Sequence, residues 1–142
     1  MAQISESISM PFEAFRIYEI VNDVGSYSEF LPWCVGSKVI EEDEESMKAS
    51  ITIRKGGFSY SLTTNNRLIY GRSISLEFSD GPFKYLRGGW SFLTIEGGCQ
   101  VELELDFEAE SKLLDIALNA ASRPVATTLM RSFRNRAYKL LG

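Results

Sequence analysis

The spacing of apolar positions changes three times along this chain, and each change marks a new element. Ile4, Ile8 and Met10 share one side of residues 3–9, a loose alternation that predicts an edge strand. Pro11 follows where the first turn of a helix tolerates a missing N–H. Phe12, Phe15, Tyr18 and Val21 then recur at helical spacing, predicting about three amphipathic turns closed by Asn22-Asp23 and Gly25. Ser26 to Leu31 reads as a short second helix, ended by Pro32, which excludes the helical conformation at the residue before it.

From Val35 the period falls to two. Ala49, Ile51 and Ile53 alternate with polar partners, as do Phe58, Tyr60 and Leu62, then Ile74, Leu76 and Phe78, then Leu86 to Ile95 with Trp90 and Phe92 on one face. Between them stand turn signals: the acidic run 41–45, Lys55-Gly56-Gly57, Asn65-Asn66 with Gly71, Asp80-Gly81-Pro82, and Gly97-Gly98. The clearest strand sets Val101, Leu103, Leu105, Phe107 and Ala109 against Glu102, Glu104, Asp106, Glu108 and Glu110, one face on the core and one in water. Strands joined by tight turns make an antiparallel sheet.

Ser111 to Leu141 returns to helical spacing. Leu114, Leu118, Ala121, Val125, Leu129, Phe133 and Leu140 form one stripe, with Arg123, Thr127, Arg131, Arg134 and Tyr138 opposite. A straight helix of that length runs ~46 Å, whereas a compact chain of this size has a diameter near ~37 Å. Pro124 is expected to bend the axis into a short and a long segment. The predicted whole is an α+β fold of 142 residues in one domain, a twisted antiparallel sheet with one apolar face covered by N-terminal helices and a long C-terminal helix.

Charge and chemistry narrow the function. Histidine is absent, which removes Ser-His-Asp and Cys-His nucleophile systems and His-containing zinc sites. Two cysteines, Cys34 and Cys99, cannot build a four-thiolate metal site; two separate thiols are a simpler expectation than one long-range disulfide. Residues 1–110 carry 18 acidic and 9 basic side chains, whereas 111–142 carry six basic residues (Lys112, Arg123, Arg131, Arg134, Arg136, Lys139) against Asp115 alone. Such a segment either faces an anionic partner, RNA or lipid headgroup, or is a solvated helix whose cations favour its own C-terminal dipole. Met1 to Met10 lacks a secretory signal and no stretch reaches the ~18 apolar residues of a membrane span, so a cytoplasmic protein with at most peripheral contact to the inner membrane is expected.

A curved sheet closing on one long helix leaves either a packed core or a gap. The side chains placed to line it are Phe58, Tyr60, Phe78, Phe83, Leu86, Trp90, Phe92, Phe107, Leu114, Leu118, Ala121 and Val125, with Trp33.

Three motifs point to a family. Tyr27-Ser28-Glu29-Phe30-Leu31-Pro32-Trp33-Cys34 is similar to a Y-x-x-F-L-P-W-C signature. Gly81 to Phe92 resembles G-P-F-x-x-L-x-G-x-W-x-F, and Met130-Arg131-Ser132-Phe133-Arg134-Asn135-Arg136-Ala137 is similar to a third signature near the C-terminus, with Ser132 in place of the usual alanine. Their order and separation resemble those of the coenzyme Q-binding protein and ribosome-association toxin (RatA) family, in the START-like, polyketide cyclase/dehydrase superfamily. That resemblance implies a helix-grip fold: about seven antiparallel strands wrapped around the C-terminal helix, enclosing a hydrophobic tunnel.

It implies two functions of different classes. One is a carrier binding ubiquinone or another polyisoprenoid lipid in support of respiration, with no cofactor beyond that cargo. The other is a toxin that binds the large ribosomal subunit and blocks subunit joining, with a small antitoxin protein as a further partner. Tyr60, Tyr85, Arg87 and Trp33 Nε1 are the candidate polar contacts to a headgroup. Arg123, Arg131, Arg134, Arg136 and Lys139 can meet rRNA phosphates or anionic lipid; without an RNA-module signature, base-specific readout is not expected. A polyketide cyclase-like enzyme would need an acid–base group in the cavity, and most carboxylates here alternate onto the solvent face.

Overall fold

The computed structural model describes residues 2–55 and 57–142, the side chains of Ala2 and Phe58 excepted. Seven strands form one antiparallel sheet: β1 (Ala2–Met10), β2 (Cys34–Glu42), β3 (Ser46–Lys55), β4 (Phe58–Ile69), β5 (Ser73–Asp80), β6 (Phe83–Ile95) and β7 (Gly98–Ala109), ordered β1-β7-β6-β5-β4-β3-β2. Consecutive strands from β2 to β7 pair as hairpins, while β1 returns to pair with β7 and makes the far edge. Two helices complete the fold, α1 (Ala14–Asn22) and α2 (Lys112–Leu141), with a 3-10 helix at Val24–Glu29.

The hairpins follow the sequence pattern closely. The acidic run turns at Asp43, whose carboxylate accepts the backbone N–H groups of Glu45 and Ser46; those bonds hold it below the usual carboxylate range. β7 buries Val101, Leu103, Phe107 and Ala109. Ser111 caps α2, its hydroxyl accepting from the Leu114 N–H at 3.0 Å, and the Asp115 carboxylate accepts from the Ala109 N–H at 3.0 Å. The second bond ties the first turn of α2 to the end of β7.

Several expectations are corrected. Pro11 lies outside α1, which begins at Ala14, and the buried face of that helix is Ile17, Tyr18, Ile20 and Val21, leaving Phe15 39% exposed. The second helix is the 3-10 turn Val24–Glu29 instead of residues 26–31. Asn65 and Asn66 do not interrupt β4: Asn66 is buried and takes a 2.7 Å hydrogen bond from Thr64 Oγ1, which lets it stand inside a strand. β6 begins at Phe83, three residues before the expected start, and the last hairpin turns at 96–97. In the Lys55-Gly56-Gly57 turn, Gly56 lies outside the described residues.

The largest difference is α2. It runs 30 residues without a break through Pro124, so the two expected segments are one helix of ~45 Å. Its buried stripe is Ala126, Met130, Phe133 and Ala137 together with Leu114, and Leu140, expected on that stripe, is exposed. In its first turns Leu114 is buried, while Leu113 and Ile116 are 71% and 59% exposed. Cys34 and Cys99 are free, buried thiols on different strands, and burial pushes both thiols up.

Candidate functional site: an apolar cavity under the long helix

The sheet face and α2 do not meet along their whole length. The C-terminal half of α2 is packed down: Phe133 sits edge-on to Tyr27, Phe30 and Trp90 with ring centroids 5.2–5.3 Å apart. Toward the helix start the layers part around a cavity of about 430 Å³. A second aromatic group stands there, with Phe83 edge-on to Tyr60, Phe78 and Phe107 at 6.0–6.1 Å. Phe83 and Trp90 are seven residues apart on β6, so the two groups bracket a space ~23 Å long.

The walls come from every layer. α2 contributes Leu114, Ala117, Leu118, Ala121, Ser122, Val125, Leu129 and Phe133. The sheet contributes alternate residues, among them Ile51 and Ile53 of β3, Tyr60 and Leu62 of β4, Leu86 and Trp90 of β6, and Leu105 and Phe107 of β7. The end of α1 supplies Val21 and Asn22, and the segment joining it to β2 supplies Val24, Tyr27, Leu31 and Trp33. The exposed Lys55 also lines the space, so the cavity reaches the surface beside it.

One glycine lets two strands of the wall approach closely. Gly88 lies between Leu86 and Trp90, opposite Leu76 and Leu105, all four on the lining. Its φ is +145°, and a Cβ built there would stand 2.0 Å from the Glu104 carbonyl oxygen. Only glycine fits so close an approach of neighbouring strands.

Of the side chains expected on the lining, Trp33, Tyr60, Phe83, Leu86, Trp90, Phe107, Leu114, Leu118, Ala121 and Val125 are on it. Phe78 is not; it backs Phe83 from behind. Phe92 is not either, being buried against the Tyr18 ring at 5.6 Å beneath α1. Phe58 begins β4, but its side chain is outside the described set. Tyr85 and Arg87 stack on each other at 5.3 Å away from the lining, which removes them as headgroup contacts.

Polar groups on the lining are few. Thr64 and Asn66 satisfy each other. The Tyr27 hydroxyl donates to the Val21 carbonyl, and burial, with Asp23 and Cys34 nearby, drives its pKa far above the usual tyrosine value. Burial also raises Tyr60. Among the described residues, two buried side-chain atoms on the lining residues have no partner, Trp33 Nε1 and Asn22 Oδ1. Sequence reasoning named the first and missed the second, because the helical pattern makes Asn22 a mere helix-end residue.

The basic face is divided by the fold. Arg123, Arg131, Arg134 and Lys139 are exposed along α2. Arg136 is not available as they are: its side chain is 13% exposed, lies over the Phe30 ring at 5.0 Å and stands 3.6 Å from Glu29 Oε1. It fastens α2 to the 3-10 segment instead of facing an anionic partner.

With this geometry, comparison with known proteins is decisive at the family level. Residues 10–134 match the family described as polyketide cyclase/dehydrase and lipid transport. The chain belongs to this family. It is 42% identical, over all of its length and 99% of the relative's, to a protein named ribosome association toxin RatA from Vibrio cholerae serotype O1. It is 28% identical to the mitochondrial coenzyme Q-binding protein coq10 of Schizosaccharomyces pombe, over 90% of this chain and 82% of that one. The fold matches the crystal structure of the Zhui aromatase/cyclase from Streptomyces sp. R1128 at a TM-score of 0.88 and 15% identity, covering 99% of this chain and 95% of that one. The polyketide cyclase/dehydrase fold is thus shared with enzymes, while these two sequence relatives are named for a toxin and a ligand-binding protein. Among the described residues, no helix is long and apolar enough to cross a membrane.

Proposed function

We propose that this protein binds an isoprenoid quinone, or a similar polyisoprenoid lipid, in the cavity beneath α2 and carries it in support of respiration. The observation that carries this reading is the cavity itself, about 430 Å³ with walls almost wholly of aliphatic and aromatic side chains. That volume falls within the ~300–1,000 Å³ of small-molecule sites, enough for a ring and a few isoprene units but not a long tail. Burial yields ~0.8 kcal/mol per methylene before the costs of binding, so two or three units reach micromolar affinity without special contacts. The likeness to a coenzyme Q-binding protein supports the same ligand class. Transfer takes place at a membrane surface from a cytoplasmic pool, with Leu113 and Ile116, exposed beside the lining residue Leu114, as the apolar contact. The role is binding, not catalysis.

Native mass spectrometry of the protein purified from cells, with lipid extraction, tests this. A copurifying prenylated quinone is the expected result; repeated isolation of empty protein that also fails to take up added prenyl lipids overturns it.

A second role is favoured by the 42% identity to a ribosome association toxin and by the exposed Arg123, Arg131, Arg134 and Lys139. In this role the protein docks on the large ribosomal subunit through phosphate contacts and blocks subunit joining, and a small antitoxin protein would oppose it. Salt-sensitive co-sedimentation with large subunits is the expected observation; sedimentation unchanged by salt, or absent at low salt, removes it.

A further inference from the structure

The cavity wall carries almost no charge, and the exception sits at its mouth. Among the described residues, Lys55 is the sole charged side chain on the lining, in a chain whose 19 acidic residues outnumber its 15 basic ones. It ends a row on the inner face of β3, where Ala49, Ile51 and Ile53 alternate onto the lining before it. Three apolar positions are thus followed by an exposed ammonium where the cavity meets solvent. That ammonium has no ion pair or hydrogen bond among the described residues.

A second donor stands beside it. Ile53 faces Tyr60 and Lys55 faces Phe58 across the β3–β4 pair, so Lys55 and Tyr60 are diagonal neighbours on the inner face. Such positions are ~7–8 Å apart, within reach of two long side chains that converge on one group. Tyr60 is half-buried on the lining, and its hydroxyl makes no hydrogen bond among the described residues. Unlike Trp33 Nε1 and Asn22 Oδ1, it is not enclosed. Other polar groups on the lining are committed: Thr64 to Asn66, Tyr27 to the Val21 carbonyl and Ser122 to the Asn119 carbonyl.

Lysine offers three donors and no acceptor, and a neutral phenol donates as well. Burial raises Tyr60 and keeps its proton in place at neutral pH. Two free donors suit an acceptor, and a negatively charged one most of all, because charge-assisted hydrogen bonds are the stronger kind. No carboxylate stands among the described lining residues to oppose it. The far end is closed by the rings of Phe133, Tyr27 and Trp90, so an amphiphile lies with its tail inward and its head beside Lys55. A quinone carbonyl can accept from the same donors but leaves the charge of the ammonium unmatched.

We infer that the mouth of the cavity is a headgroup site for anionic single-tailed lipids, a prenyl phosphate or a prenyl carboxylate, held by Lys55 Nζ and the Tyr60 hydroxyl. This deepens the lipid-binding function proposed above and rests on it.

The test uses the full chain and one farnesyl tail with four heads: farnesyl phosphate, farnesoic acid, farnesol and farnesylamine. Each is titrated calorimetrically at neutral pH, below its micelle concentration. Both anions are expected to bind about tenfold or more tightly than farnesol, and the cationic amine more weakly than farnesol. Equal affinity for all four, or the amine binding best, overturns the anion selection while leaving the cavity as a lipid site. No uptake of any member overturns this inference and the lipid-binding function together. Inorganic phosphate at millimolar concentration should not displace farnesyl phosphate; displacement would make free phosphate the ligand and overturn the lipid headgroup. Lys55→Met keeps the apolar stem and should bring both anions down to the affinity of farnesol, with farnesol itself changed by less than about twofold. Lys55→Arg should preserve the preference. An anion preference that survives Lys55→Met overturns the assignment to this residue. Tyr60→Phe should weaken the anions by about tenfold, one hydrogen bond to a charged group; no loss in a folded variant removes Tyr60 from the site. With both anions bound, the tighter one names the headgroup.

Discussion

Replacing Ala121 with tryptophan places an indole in the space the ligand is proposed to occupy. Ala121 is half-buried on α2 and lines the cavity, with Leu118 and Val125 about one turn to either side. The substitution removes no contact that holds the fold. An isoprene unit has five carbons, worth about 4 kcal/mol when buried at ~0.8 kcal/mol each. Displacing one unit from a cavity of about 430 Å³ therefore lowers affinity by about a thousandfold, at a factor of ten per ~1.4 kcal/mol. The same indole finds apolar neighbours, so thermal stability should hold or rise; if the fit is tight, the cost is limited to ~1–3 kcal/mol. The assay pairs a farnesol titration with a thermal unfolding curve on the same preparation. The expected result is lost uptake with a cooperative transition retained. A folded variant that binds farnesol within threefold of the native protein would refute the location of the ligand.

Three other outcomes follow from the same geometry. The double change Arg131→Glu and Arg134→Glu, at exposed positions on α2, should weaken co-sedimentation with large ribosomal subunits by about tenfold or more in low salt while farnesol uptake is unchanged; equal sedimentation would remove the arginines from that contact. Gly88→Ala, with φ +145° and a Cβ 2.0 Å from the Glu104 oxygen, should cost at least the ~1–3 kcal/mol of backbone strain in a denaturant titration, and a loss below about 0.5 kcal/mol would contradict the close approach. Burial of the Tyr27 hydroxyl raises its pKa above the ordinary tyrosine value, so the folded state holds its proton more tightly than the unfolded chain. Its contribution is complete below pH ~10 and drains away as pH rises beyond it. Tyr18 and Tyr60 are also raised and share that limb, so Tyr27→Phe should make the alkaline loss of stability shallower without abolishing it, as read by unfolding at a series of pH values.

Much of the candidate site was legible in the chain because strand alternation assigns faces without knowledge of the fold. Tyr60, Leu86, Trp90 and Phe107 could be placed on the inner face from spacing alone, and all four are on the lining. Phe78 and Phe92 obey the same alternation and still miss the cavity. A sheet face is broader than the space under one helix: α1 covers Phe92, while Phe83 stands between Phe78 and the void. Arg136 fails for a related reason. Helical spacing sets it near the solvent face, but the 3-10 segment brings Phe30 and Glu29 up to it.

What the sequence determined by itself is local: the strand and helix periods, most of the turns, the inner and outer faces, and the motif spacing that resembles a family. Those properties depend on neighbours a few residues away, and each side chain declares its preference for water or apolar surroundings. Tertiary structure alone decided that α2 continues through Pro124 and that a cavity lined by Asn22 and Trp33 lies between its first half and the sheet. A void is a distance between layers, set where Phe133 packs against Tyr27, Phe30 and Trp90, far along the chain from most of the residues that line it. Apolar side chains carry the same pattern whether they face one another or an empty space.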